Sequence, residues 1–173
     1  LPPDVGGQSP YFLTVNRNKR GVALNLKSES GRDAVMALAM KSDVVVENFR
    51  VGVMERLGIG YAVMKALNPR IIYCTISGYG RKGPFADRAG YDPIAQAESG
   101  LMAISGEPGG PPTRCGVSIV DSMAGISAAQ AITSALYARG QKGEGQMIEV
   151  SLFGTAVNML VNFAGQSLLV GDD

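Results

Sequence analysis

The chain has 173 residues, 46% of them hydrophobic, with 16 Lys and Arg against 15 Asp and Glu, two Cys, no Trp and no His. The missing imidazole excludes, within this chain, the Ser-His-Asp and Cys-His nucleophile systems, His-liganded zinc and a His general base. A formal net charge of +1 supplies neither a large positive field nor a basic tail, so nucleic acid and membrane surfaces are not expected as partners.

The length suits one ordinary domain with a sizeable core. Cys74 and Cys115 make neither a disulfide framework nor a metal-ligand cluster; a cytoplasmic setting and no bound metal are expected. The opening Leu1-Pro2-Pro3-Asp4 has no basic stretch followed by an apolar run and is not read as a signal peptide. It begins without Met and in mid-phrase, which points to a piece of a longer chain.

From residue 20 onward, short β-branched runs alternate with helical patterns, the signature of βαβ units in a parallel α/β sheet. Gly21 to Leu26 reads as a strand, Ser28 to Lys41 as a helix with Val35, Met36, Leu38 and Ala39 on its apolar face, and Asp43 to Glu47 as a second, buried strand. Short helices over Val53–Leu57 and Tyr61–Leu67 are stopped by Asn68-Pro69, and Arg70 to Ile76 is the third strand. Gly78 to Tyr91 is a glycine-rich loop carrying Arg81, Lys82 and Arg88; Asp92 to Met102 is predicted helical, with Pro93 in its first turn. After an irregular stretch over Ser105–Pro112, Asp121 opens a long helix, Ser122 to Arg139, rich in small residues. A turn leads to a fourth strand, Gln146 to Val150. Leu152 to Val170 closes the chain as one helix, and its length and apolarity raise the question of a membrane span. Asn158, Asn162 and Gln166 make a polar stripe on it, which favours a buried or interface helix instead.

Gly78-Tyr79-Gly80-Arg81-Lys82-Gly83 is a literal G-x-G-x-x-G after a strand. A dinucleotide fingerprint requires a helix to follow at once, and Pro84 to Gly90 reads as more loop; a ligand-covering loop and a plain connection stay open beside it. Its cations could meet phosphates or solvent. Asp121 has two readings that can both hold. One is a helix N-cap. The other is a nucleophilic carboxylate at the carboxyl end of the sheet, with the helix N-terminus helping to hold developing oxyanions. Asp92 and Glu98 read as capping or solvated groups. Cys115 beside Arg114 lacks a His partner to activate it, and Cys74 reads as a small core residue. Asn48-Phe49-Arg50, leaving the second strand, has the placement of a binding site.

Several phrases in order resemble one family: Asn16-Arg17-Asn18-Lys19-Arg20 leading into Val22 to Lys27; Asp43-Val44-Val45-Val46-Glu47-Asn48-Phe49-Arg50; Glu55-Arg56-Leu57-Gly58; Ser77-Gly78-Tyr79-Gly80; Gly90-Tyr91-Asp92; Gln96 to Gly100; Gly106-Glu107-Pro108; Asp121 to Gly125; and Gly143 to Gln146. Together they resemble the class III CoA-transferases, of formyl-CoA transferase and carnitine CoA-transferase type, over nearly the whole chain. The resemblance implies a Rossmann-like open parallel sheet flanked by helices, and CoA transfer between an acyl-CoA and a small carboxylic acid. It implies no prosthetic group, with coenzyme A entering as substrate. Asp121 stands where the family has its nucleophile and Tyr91 where it has a tyrosine near the reacting groups. Leu24, Lys27, Asn48, Phe49 and Arg56 fall on positions that line the family's CoA site, with Lys27 and Arg56 set to meet phosphates.

Related α-methylacyl-CoA racemases carry a proton-transferring His at the position of Tyr91, so the resemblance favours transferase over the alternative of racemase or epimerase. Family subunits are more than twice this length and form interlocked homodimers. Residues 1–173 therefore read as a partial CoA-binding domain, without the opening strand, the later glycine-rich loop and the second domain. A non-catalytic CoA-binding fragment is the remaining alternative.

Overall fold

The computed structural model describes residues 4–171; the Leu1-Pro2-Pro3 opening, read above as no signal peptide, lies outside them. Three parallel strands, β1 (Val44–Glu47), β2 (Ile72–Ser77) and β3 (Met147–Ser151), form a sheet in the order β1-β2-β3. Val44 pairs with Ile72, and Tyr73 with Met147. β2 is the centre and alternates between two cores, as strand side chains must. Tyr73 enters a cluster with Ala39, Met54, Ile59 and Met64, supplied by α2 (Glu29–Met40), α3 (Val53–Arg56), α4 (Tyr61–Leu67) and the connection between the last two. Ile72 and Cys74 enter the opposite cluster with Ala128, Ala135 and Ile148. That face is covered by α6 (Ile119–Lys142), whose buried residues are Val120, Ala124, Ala128 and Ala135. Their small side chains let a 24-residue helix lie close on the sheet. By composition α6 is also long and apolar enough to cross a membrane, but its alanine ridge packs against β2 and β3.

The helices and buried strands of the sequence reading are present, within a few residues at their ends. Three expectations are corrected. Gly21 to Leu26 forms no strand: β1 pairs with β2 alone, so this β-branched run has no partner, and an unpaired extended segment lacks the ladder that would make it a strand. Asp92 to Met102 stops early, as α5 (Asp92–Glu98), because Gly100 takes a left-handed φ of +88°. The single helix expected over Leu152–Val170 is two, α7 (Leu152–Met159) and α8 (Val161–Val170), bent by 79°. The bend buries Leu160, 6% exposed, beside Gly100. α8 buries no residue, so the polar stripe crosses a break and marks no buried face. One element was not foreseen: α1 (Pro10–Asn16), which exposes Tyr11, Phe12 and Leu13.

The loop after β2 is shaped by a backbone crossing. A methyl group at Gly78 would lie 2.5 Å from the Cα of Gly90, and one at Gly90 would lie 2.2 Å from the Cα of Gly78. Residues 78–90 therefore leave and return through one point, which delivers Tyr91 and Asp92 to the end of β2. Gly78→Ala or Gly90→Ala is expected to overpack this crossing and destabilise the fold by on the order of 1–3 kcal/mol. Urea unfolding measures it, and wild-type midpoints would show that the two segments part easily.

Candidate active site

A cleft of about 500 Å³ opens at the carboxyl ends of β1 and β2, where open parallel sheets bind ligands. Its walls are Asn48, Phe49 and Arg50 leaving β1, Ser77 and Gly78 ending β2, Arg88 and Gly90 to Asp92 closing the loop, Asp121 and Ala124 from α6, and Leu152. Four sequence-predicted site residues, Asn48, Phe49, Tyr91 and Asp121, thus share one cavity.

Asp121 is the third residue of α6, behind the N-cap Ser118, so it does not cap the helix as expected. Ser118 makes no side-chain cap bond. The cap comes instead from α5: Asp92 Oδ2 accepts the backbone N–H of Val120 at 2.8 Å and of Asp121 at 3.1 Å, the two donors that a cap residue ordinarily satisfies. This corrects a second expectation. The helix N-terminus was expected to help hold oxyanions, but these two donors are already engaged by Asp92. Asp92 itself is 4% exposed; its other oxygen accepts from Gln96 Nε2, and Gln96 Oε1 accepts from Cys115 N at 2.9 Å. Asp92 was read as a capping or solvated group; it is a buried cap for another element's helix. The available signal was the Asp92–Gln96 spacing of four, which puts both on one helix face.

The Asp121 carboxylate meets no hydrogen-bond donor among the described residues. Burial, and secondarily the negative charge of Asp92, raise its pKa above the ordinary carboxylate value. Tyr91 stands 63% exposed at the N-cap position of α5. Asn48 donates Nδ2 to the Ile76 carbonyl at 2.6 Å, tying the exit of β1 to β2. The Phe49 N–H is held by Glu47 Oε2 at 2.8 Å, leaving the ring 46% exposed in the cleft wall.

Leu24, Lys27 and Arg56 do not line this cleft. Lys27 and Arg56 are exposed, and the residues next to them, Leu26 and Leu57, pack into the same core cluster beside β1. The glycine-rich loop is no nucleotide fingerprint, since turns rather than a helix follow it; Gly80 and Gly83 supply left-handed turn conformations at φ +91° and +96°. Two of its cations are already paired. Arg81 bridges Glu55 and Glu149, and Arg88 pairs with Glu98 while stacking 4.7 Å from the Tyr79 ring centroid. Tyr79 also donates to Glu98 at 2.6 Å. Cys74 is buried in the core as expected, and its thiol pKa is raised by that burial.

Fold and cleft together define a parallel α/β domain with an unpaired carboxylate at its ligand crevice. The chain belongs to CoA-transferase family III, which it matches over residues 1–173. It is 53% identical over 157 residues to an acyl-CoA transferase of Fusarium pseudograminearum, covering 91% of this chain and 34% of that one. An acetyl-CoA:oxalate CoA-transferase of Acetobacter aceti is 49% identical over 152 residues, covering 87% of this chain and 39% of the relative. The crystal structure of a CAIB/BAIF family protein from Brucella suis superposes with a TM-score of 0.93 at 40% identity, over 99% of this chain and 46% of that one. The chain thus spans less than half the length of each.

Because Asp121 is harder to ionise folded than unfolded, the folded chain holds the extra proton between the two pKa values, and stability falls as pH rises through that window. Asp121→Asn is therefore expected to be more stable than the parent at pH 7, with the gain fading as pH falls to about 4, the ordinary carboxylate range. Denaturation at several pH values measures this; a gain independent of pH would contradict it.

Proposed function

We propose that the protein transfers coenzyme A from an acyl-CoA to a small carboxylic acid through covalent intermediates on Asp121. The observation that carries this reading is the Asp121 carboxylate, free of donors and held in a cleft at the strand ends, in a chain of CoA-transferase family III. An Asp121 oxygen attacks the thioester carbonyl carbon, the C–S bond breaks, and CoA leaves as thiolate from a mixed anhydride. The thiolate then attacks the Asp121 acyl carbon and expels the donor carboxylate, leaving an aspartyl-CoA thioester. The acceptor carboxylate attacks that thioester and releases the thiolate, which attacks the acceptor's acyl carbon. The new acyl-CoA forms and Asp121 is freed. Over the whole cycle one thioester is exchanged for another, so positioning and electrostatics carry the rate.

In this reading Tyr91 and Asn48 stand beside the reacting carbon and Phe49 packs against the pantetheine arm. Lys27 and Arg56 meet the phosphates, with Leu24 near the same part of CoA. The name of the Acetobacter relative supports beginning the acceptor panel with oxalate. The active form is taken as a homodimer.

Incubation of the full-length protein with an acyl-CoA, then hydroxylamine, is expected to leave a hydroxamate at Asp121, read by peptide mass. Asp121→Ala should remove it and lower transfer by at least ~10³-fold. Absence of modification across a panel of acyl-CoA donors would sink the covalent scheme.

Lys27→Ala and Arg56→Ala are each expected to weaken CoA binding by about 1.5–3 kcal/mol, one charge-assisted contact apiece, or roughly 10- to 150-fold in Kd. Unchanged calorimetric affinity in both would place the phosphates elsewhere.

A further inference from the structure

We propose that the buried Asp92–Gln96 pair is the positioning device for Asp121, fixing its backbone and setting a negative charge against its carboxylate so that acylation relieves a repulsion. The inference rests on Asp121 being the nucleophile and goes beyond that reading by assigning roles to two residues that do not touch substrate.

The geometry fixes the direction of every hydrogen bond in the pair. Cys115 N–H can only donate, so the group it meets on Gln96 is the oxygen, and the Gln96 nitrogen faces Asp92. Asp92 then receives three N–H donors, from Gln96, Val120 and Asp121. In this pair both Asp92 oxygens act as acceptors, the role a carboxylate fills. Gln96 is fully buried and Asp92 nearly so, where an unmatched donor would be costly.

Two consequences follow for Asp121. Its N–H is pinned, so its side chain leaves the first turn of α6 from a fixed point although helix ends ordinarily fray. The donors that would otherwise solvate a nearby anion are taken, and a like charge is added. The titratable and charged groups lining the cleft with Asp121 are Asp92 and Tyr91 at the start of α5, Arg88 of the loop and Arg50 after β1; α7 contributes only Leu152. Arg88 is paired with Glu98. Burial raises the Asp121 pKa most, and the negative charge of Asp92 raises it further. When the Asp121 oxygen acylates, its charge passes to the departing thiolate and the Asp92–Asp121 repulsion ends. An interaction unfavourable in the free carboxylate and absent once the anhydride has formed lowers the barrier between them.

The test moves the charge while keeping the hydrogen bonds. In the double variant Asp92→Asn/Gln96→Glu, the Asn oxygen accepts from Val120 and Asp121, its amide nitrogen donates to the new Glu, and that Glu accepts from Cys115. All four bonds survive with the negative charge one side chain further from Asp121. In the full-length protein with ¹³C-labelled Asp, the Asp121 carboxyl titration is expected to move down toward the ordinary range. Acylation of Asp121 in a single turnover should slow by about three- to tenfold, as expected when an interaction unfavourable only in the ground state is removed. An unshifted Asp121 titration in the folded double variant would overturn the proposal.

Hydrogen exchange on the unmodified protein supplies a second readout that needs no variant. The amides of Val120 and Asp121 should exchange as slowly as the interior of α6, and exchange at fraying rates would also overturn it. If the parent is never acylated by any donor, the reading of Asp121 as nucleophile fails and the proposal with it. The titration and exchange results would still report the capping and charge effects separately.

Discussion

At the end of β2 the backbone of Gly78 passes so close to that of Gly90 that neither position tolerates a methyl group. This contact converts a thirteen-residue excursion into a closed loop and returns the chain to the strand end it left. What it returns is Tyr91 and Asp92, one facing the cleft and the other turned into the protein beneath it. The Gly78 carbonyl also receives the Phe153 N–H at 2.9 Å, so the crossing is held from α7 as well. From there, α5 caps α6 through Asp92 and places Asp121. A steric fact about two glycines is thus the first link in a chain that ends at a carboxylate.

Charge in this region is divided between two tasks. Two of the loop's cations are engaged in holding it: Arg81 reaches back to Glu55 on α3 and to Glu149 on β3, and Arg88 lies between Glu98 and two aromatic rings. Exposed ion pairs contribute about 0–1 kcal/mol each and a cation over an aromatic face about 0.5–1 kcal/mol. Such contacts set the conformation of a loop more than the stability of a domain. Their other effect is on the cleft, where Arg88 stands among the walls with its charge already matched. Asp121 consequently faces Asp92 without a partner of opposite sign at hydrogen-bond distance among the described residues.

The sheet was legible because Val44-Val45-Val46 and Ile71 to Ile76 are the continuous apolar runs that doubly covered strands require, and both lie where they were read. Gly21 to Leu26, interrupted by Asn25, carries a weaker form of that signal and forms no strand, because β structure depends on a neighbour that composition does not reveal. The cleft was legible at Asn48-Phe49-Arg50 for a similar reason: polar residues directly after a buried strand have few places to go except its mouth. Asp121 lines the same cavity, with a local structure other than the one expected. An Asp near the start of a helix suggests a cap, and nothing nearby in sequence shows that a carboxylate 29 positions earlier has taken that role. Long-range capping of this kind needs the Gly78–Gly90 crossing, and that crossing is a matter of backbone proximity between residues with no side chain to signal it.

The absence of His from this chain gains a physical meaning beside the proposed chemistry. A hydroxyl or water nucleophile must lose a proton as it attacks, and enzymes that use one place a base within reach. A carboxylate attacking a thioester loses none, its leaving group departs as a stable thiolate, and the returning step moves no proton either. What such a cycle requires is a carboxylate that is ionised, accessible and poorly solvated, since a well-solvated one is too stable to attack. Asp121 is exposed at the cleft, and its carboxylate accepts from no donor among the described residues. The backbone donors of Val120 and Asp121 are bound to Asp92, two of the loop's three cations, Arg81 and Arg88, are bound to glutamates, and the charge of Asp92 is of the same sign as its own. In the proposed scheme the attacking group needs no base, so the cleft has no task for an imidazole.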